Sequence, residues 1–153
     1  MDEKLKLAGQ LYGKGYTCSQ AVFCVFAKEL KLEEETAYRM MEGFGEGFGA
    51  LQETCGAFSA IVAVISYFIS SGSTDASSRE RTYQAVQHAA EIFRKEYGSL
   101  CCKEILHGRA TGDFPCGMKV KDAVLLIRKI RMDSCAQGGM QKAGEGENEA
   151  GCK

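Results

Sequence analysis

The sequence predicts an all-α single domain, with five to seven helices packed around a buried central helix. Three observations carry this expectation. The stretch Cys55 to Ile69 holds no charge and is apolar on every side, which places a helix inside a bundle or a membrane. It is shorter than the ~20 residues a membrane span needs, Ser59 and Ser66 interrupt it, and it is too long for one strand. Second, helix-start signals recur as Thr17-x-x-Gln20 and Ser77-x-x-Glu80, where the first side chain caps and the last reaches back. Third, the chain has 153 residues and one proline. That length suits one domain and buries about two-thirds of the unfolded surface.

Each element follows in order. Asp2 to Lys14 is amphipathic, with Leu5, Ala8, Leu11 and Tyr12 on one side and Gly13 and Gly15 at its end. Thr17 caps the next helix and puts Cys18 at its first position. This helix is expected to run to about Lys31, with Ala21, Val22, Val25, Phe26 and Leu30 inward. Cys24 comes about 600° around the helix from Cys18, so the two do not share a face, and Cys24 is assigned to packing. Glu33 to Glu42 forms a third helix with acidic residues at its positive end, stopped at Gly43. Glycines at 43, 45, 47 and 49 form an approach loop. Thr54 is expected to cap the central helix, leaving Cys55 at its first helical position.

Ser70 to Ser78 is a polar loop, and the long helix opened by Ser77 runs to Tyr97 with Tyr83, Val86, Ala90 and Phe93 inward. His88 lies off that stripe and reads as exposed. Gly98 stops the helix, and Ser99 caps a short one from Leu100 to Leu106 that carries Cys101 and Cys102 in its first turn. His107 reads as a helix-end residue. Pro115, suited to a first turn, precedes Cys116. The last helix is expected from Met118 to Met132, with Val120, Val124, Ile127 and Ile130 inward and Lys119, Lys121, Arg128 and Lys129 outward. From Asp133 the apolar pattern stops. Residues 1–132 are therefore expected to form the domain and 133–153 a tail, with Cys135 and Cys152 outside the main site. A second copy of the chain is one candidate to hold this tail.

Net charge is −1 with a pI near 6.2. With no basic patch, nucleic acid is excluded as an expected partner. The polar start M-D-E-K-L-K is unlike a signal peptide, no stretch suits membrane insertion, and a cytoplasmic location is expected. Eight cysteines in a reducing compartment point to metal or redox chemistry rather than a disulfide framework.

Cys18, Cys55, Cys102 and Cys116 all fall at predicted helix starts. Free N–H groups and the positive dipole end there favour thiolate, the form that attacks disulfides and binds metals. The chain has no C-x-x-C and no C-x-x-C-H, which removes a thioredoxin-like motif and the usual haem attachment. Its spacings match no zinc finger or local ferredoxin motif. A metal site would have to be assembled from distant segments.

Four pieces taken in order resemble one family. They are Y-T-C-S-Q-A-V around Cys18, G-F-G-E-G-F-G followed by E-T-C-G-A-F-S-A, then F-R-K-E-Y-G-S-L-C-C-K-E-I-L, and the cysteine before the last helix. The family is the redox-active proteins named for the pattern C_GCAxxG_C_C. The resemblance covers roughly residues 10–130 and implies Cys18, Cys55, Cys102 and Cys116 as the marked cysteines. Ala60 stands where the pattern has its closing glycine, and Cys101 beside Cys102 makes the third position ambiguous.

The leading expectation is thiol–disulfide exchange or electron transfer, as in a thiol-dependent oxidoreductase. Cys18 and Cys55 form a candidate dithiol; Cys102 and Cys116 form a second pair or act as resolving thiols. The expected partner is a redox protein or a small thiol. Two alternatives stay open: the same four cysteines hold an iron–sulfur cluster or zinc, or all of them only pack.

Overall fold

The structure, a computed structural model, describes residues 2–107 and 116–136. Among these residues it is all-α. The helices are α1 (Glu3–Gly13), α2 (Cys18–Phe23), α3 (Glu34–Met41), α4 (Gly56–Ile69), α5 (Ala76–Tyr97), α6 (Cys102–His107) and α7 (Cys116–Ala136). Seven helices fit the expected five to seven. The nearest thing to a sheet is one isolated antiparallel bridge, Thr54 to Cys101. Among the described residues no helix is long and apolar enough to cross a membrane.

The central helix is α4, as its composition predicts. It packs on α2, α5 and α7, and Ile61, Val64 and Ile65 are fully buried along it. Phe58 meets Phe93 of α5 with ring centroids 5.4 Å apart. Tyr67 alone reaches solvent substantially. Ala60, standing in place of the pattern's glycine, is also fully buried.

The capping box at Thr17 forms as the sequence requires: the Thr17 hydroxyl accepts from the Gln20 amide, and Gln20 Oε1 accepts from Thr17 N–H at 2.9 Å. Gln20 also donates to the Tyr38 carbonyl at 3.1 Å, and Ser19 donates to that of Met41 at 2.7 Å. These two bonds pin the start of α2 to the end of α3.

Several boundaries differ from expectation. α2 gives way after Phe23 to a 3₁₀ turn, Cys24–Phe26, and Lys31 ends the segment in the left-handed region at φ 56°. Burial of Cys24, Val25, Phe26, Ala27 and Leu30 on the core outweighs a continuous helical ladder. α5 starts earlier, because Asp75 rather than Ser77 caps it, accepting from the Ser77 amide at 3.1 Å. α6 starts at Cys102, since Cys101 is held in the bridge to Thr54. Finally, α7 continues to Ala136, past the boundary expected at 132, so Cys135 is helical. The remainder of the expected tail, including Cys152, lies outside the described residues, as do Pro115 and the loop before it.

The buried stripe of α4 leads to a stability prediction. Ile61→Ala should lower unfolding stability by about 2 to 5 kcal/mol in a denaturant titration. Tyr83, expected inward on the long helix, is instead 59% exposed, so Tyr83→Ala should change stability by no more than about 0.5 kcal/mol.

Candidate functional site: a four-cysteine cavity

Cys18, Cys55, Cys102 and Cys116 line one cavity of about 500 Å³, together with Tyr12 and Lys119. The sequence places these cysteines in four separate segments, and the fold brings the segments to one end of the bundle. All four are free thiols; Cys18, Cys55 and Cys102 are buried, and Cys116 is half-buried.

Two glycines make this convergence possible. A Cβ on Gly56 would lie 2.7 Å from Cys18 Sγ and 2.6 Å from the Phe44 carbonyl oxygen. The start of α4 therefore sits directly on the start of α2, with Cys55 and Cys18 on either side of the contact. A Cβ on Gly47 would lie 2.8 Å from Cys102 Cβ and 2.7 Å from the Glu53 nitrogen. The glycine-rich stretch is thus a packed element. Glu46, Gly47, Phe48, Gly49, Ala50 and Gln52 all have positive φ, a left-handed turn that costs about 1–2 kcal/mol for each non-glycine residue. The turn is closed by Gln52 N–H to the Glu46 carbonyl at 3.1 Å and Glu53 N–H to that of Gly47 at 3.0 Å.

The same segment anchors α6. Lys103 N–H donates to the Gln52 carbonyl at 3.0 Å, Cys102 N–H donates to that of Glu53, and Cys101 Sγ lies 3.4 Å from the Gln52 oxygen. In return Cys55 N–H donates to the Leu100 carbonyl at 2.8 Å. That bond corrects the expected cap. Cys55 is the N-cap residue of α4, with extended ψ of 128°, and Gly56 is the first helical residue. The Cys55 amide is drawn toward Leu100, so Thr54 is left in the bridge rather than at the cap.

The expected ionisation of Cys55 is also corrected. Burial pushes its thiol up to about 11, while the amides of Phe58 and Ala57 pull the other way. The helix start acts in the expected direction, but removal from water dominates. Cys102 is likewise raised, by burial first and then by the neighbouring Cys116. Cys24, outside the cavity, is pushed by burial to about 11, as suits a packing residue.

Lys119 is the residue that helical patterning misplaces. It was expected on the outer face of the last helix; it is 2% exposed, and its Nζ lies 3.8 Å from Cys116 Sγ. The available signal is its spacing: three residues past Cys116, it shares that cysteine's helical face. Tyr12, expected only on the apolar side of α1, also reaches the cavity. Its hydroxyl is raised by burial and then by Cys116 and Cys18.

Other candidates stay apart. His88 is exposed, within 4.0 Å of Glu91 and 3.8 Å of Asp133, and lines a different cavity. Cys135 lies roughly 28 Å further along α7 than Cys116, at the helical rise per residue.

Among the described residues no group of three or more His, Cys, Asp or Glu side chains is placed to hold a metal ion. The four cysteines share a cavity, but their arrangement does not fit the iron–sulfur or zinc centre entertained from sequence.

A helical domain with four free thiols and a buried lysine around one cavity is a thiol-centred protein. The chain belongs to the family described as Putative redox-active protein (C_GCAxxG_C_C), which it matches over residues 16–145, and a redox role in general follows. No curated protein and no solved structure matches it.

Two predictions follow from this geometry. Gly56→Ala should destabilise the protein by about 1 to 3 kcal/mol, because a backbone carbonyl and a buried sulfur both occupy the space a methyl group needs. The second concerns pH. The raised Cys55 thiol means that the folded state holds its proton more tightly than the unfolded chain does. Its contribution is fully present below about 9 and is lost as pH rises toward about 11. Denaturant midpoints measured across that window should fall for the wild type and fall less steeply for Cys55→Ala, with Cys24 supplying part of the remaining slope.

Proposed function

We propose that the cavity is a thiol–disulfide redox centre, in which two cavity thiols become a disulfide while a bound disulfide is reduced to two thiols. Two electrons move from the protein sulfurs to the substrate sulfurs, and the two thiol protons end on the products. An external dithiol then returns the protein to its reduced form. The observation that carries this reading is the convergence of four free thiols on one cavity. Cys18 and Cys55 are proposed as one pair, supported by the close approach across Gly56. Cys102 and Cys116 form the second pair or resolve the first. This chemistry is that of a thiol-dependent oxidoreductase, and a reducing cytoplasm is the setting that keeps such thiols available.

The test is oxidation of the reduced, anaerobically purified protein with diamide, followed by peptide mapping under non-reducing conditions. Disulfides confined to Cys18, Cys55, Cys102 and Cys116 are expected, with Cys24 remaining a thiol. Cavity cysteines that stay reduced while the oxidant is consumed elsewhere would sink the proposal. So would stoichiometric metal that is bound through these cysteines and lost with them.

A further inference from the structure

We infer that Cys116 is the attacking thiol of the cavity, that Lys119 is its counter-cation, and that the substrate is a small-molecule disulfide. The attack step rests on the thiol–disulfide reading; the ion pair stands on geometry of its own.

Lys119 poses a charge problem. A lysine ammonium is almost never fully buried without a partner, because loss of hydration is expensive. Lys119 is 2% exposed, and among the described residues no carboxylate lies within ion-pair distance of its Nζ. Its hydrogen-bond partner is the sulfur of Cys116 at 3.8 Å. A thiolate there supplies the missing negative charge, and the lysine holds it by a charge-assisted hydrogen bond.

Accessibility selects the same cysteine. Cys18, Cys55 and Cys102 are buried, whereas Cys116 is half-buried and can meet an entering molecule. Cys101 is also half-buried, but its sulfur is turned to a backbone carbonyl, that of Gln52. The other titratable groups lining the cavity are Tyr12 from α1, Tyr16 before α2, Cys18 from α2, Glu46 from the left-handed turn, Cys55 at the start of α4 and Cys102 from α6. Among these the one formal charge is the carboxylate of Glu46, which cannot stabilise a second anion. Lys119 is therefore the group that sets where thiolate forms. A cavity of about 500 Å³ has the size of a small-molecule site.

The chemistry balances in two displacements. The Cys116 thiolate attacks one sulfur of the substrate disulfide, a mixed disulfide forms, and the first substrate thiolate leaves with a proton from solvent. A second cavity thiol, deprotonated as it attacks, then displaces the other half from Cys116. The substrate leaves as two thiols, and the protein keeps one internal disulfide.

Two measurements test the inference separately. The first is the rate of iodoacetamide alkylation at each cysteine at neutral pH, read by peptide mass spectrometry. Cys116 should react fastest, ahead of the likewise half-buried Cys101. Lys119→Met should slow Cys116 by about tenfold or more, because the thiolate is the form that attacks the reagent, while Lys119→Arg keeps most of the rate. Thiolate absorbance of the unaltered protein, titrated with and without Cys116→Ser, gives the same answer without altering Lys119. Equal rates at Cys116 and Cys101, or a Cys116 rate unchanged in a folded Lys119→Met protein, would overturn the pairing.

The second uses hydroxyethyl disulfide with the Cys18→Ser, Cys55→Ser and Cys102→Ser variants. A mixed disulfide should accumulate on Cys116 when its resolving partner is missing. First attachment at another cysteine, or reaction only with a disulfide-bonded protein, refutes the assignment of attacker or substrate. Alkylation needs no disulfide substrate, so failure of the redox reading leaves the Lys119 result legible.

Discussion

The site depends on how closely the start of α4 approaches the start of α2. At Gly56 no side-chain carbon fits, because Cys18 Sγ and the Phe44 carbonyl already occupy the place. Any wider separation would draw Cys55 away from Cys18 and open the end of the bundle where α6 and α7 also begin. The contact survives because both partners are held elsewhere. The start of α2 is tied to α3 through Ser19 and Gln20. The rest of α4 is locked into the core by residues such as Ile61 and Ile65.

That packing decides the chemistry more than the helix ends do. A helix N-terminus favours an anion by about 0.3 to 1 kcal/mol, and by about 2 kcal/mol at best. Removing a thiol from water works against the anion, and at Cys55 the removal wins. Burial therefore favours the protonated thiol at Cys55 and Cys102, and a lysine stands beside the half-buried Cys116. Such a division suits a site where one sulfur meets an incoming molecule and the others wait behind it.

The left-handed turn from Glu46 to Gln52 shows what the arrangement demands of the backbone. Several non-glycine residues accept positive φ there, a conformation that persists only where the surroundings fix it. Here they do: the turn seats Gly47 on Cys102, and its Gln52 and Glu53 carbonyls receive the first amides of α6. The strain is spent on positioning the third cysteine.

Much of this protein was legible in the sequence because the signals are local. A charge-free stretch from Cys55 to Ile69 must be buried, Thr17 and Gln20 must meet across one turn, and glycines such as Gly98 must end helices. These follow from spacing alone, and so do the fold class and the four cysteines worth watching. What the tertiary structure decided are the outcomes that depend on a partner distant in the chain. The Leu100 carbonyl moves the cap of α4 from Thr54 to Cys55, the turn carrying Gln52 and Glu53 delays α6 until Cys102, and the core around Phe26 breaks the second helix early. The thiol of Cys55 is raised because the other elements close over it. Lys119 is turned inward because a cavity lies beneath it. Helical periodicity reports which face a residue occupies, but it carries no information on what lies opposite that face. Burial and charge pairing are properties of that opposite surface, so only the assembled bundle could set them.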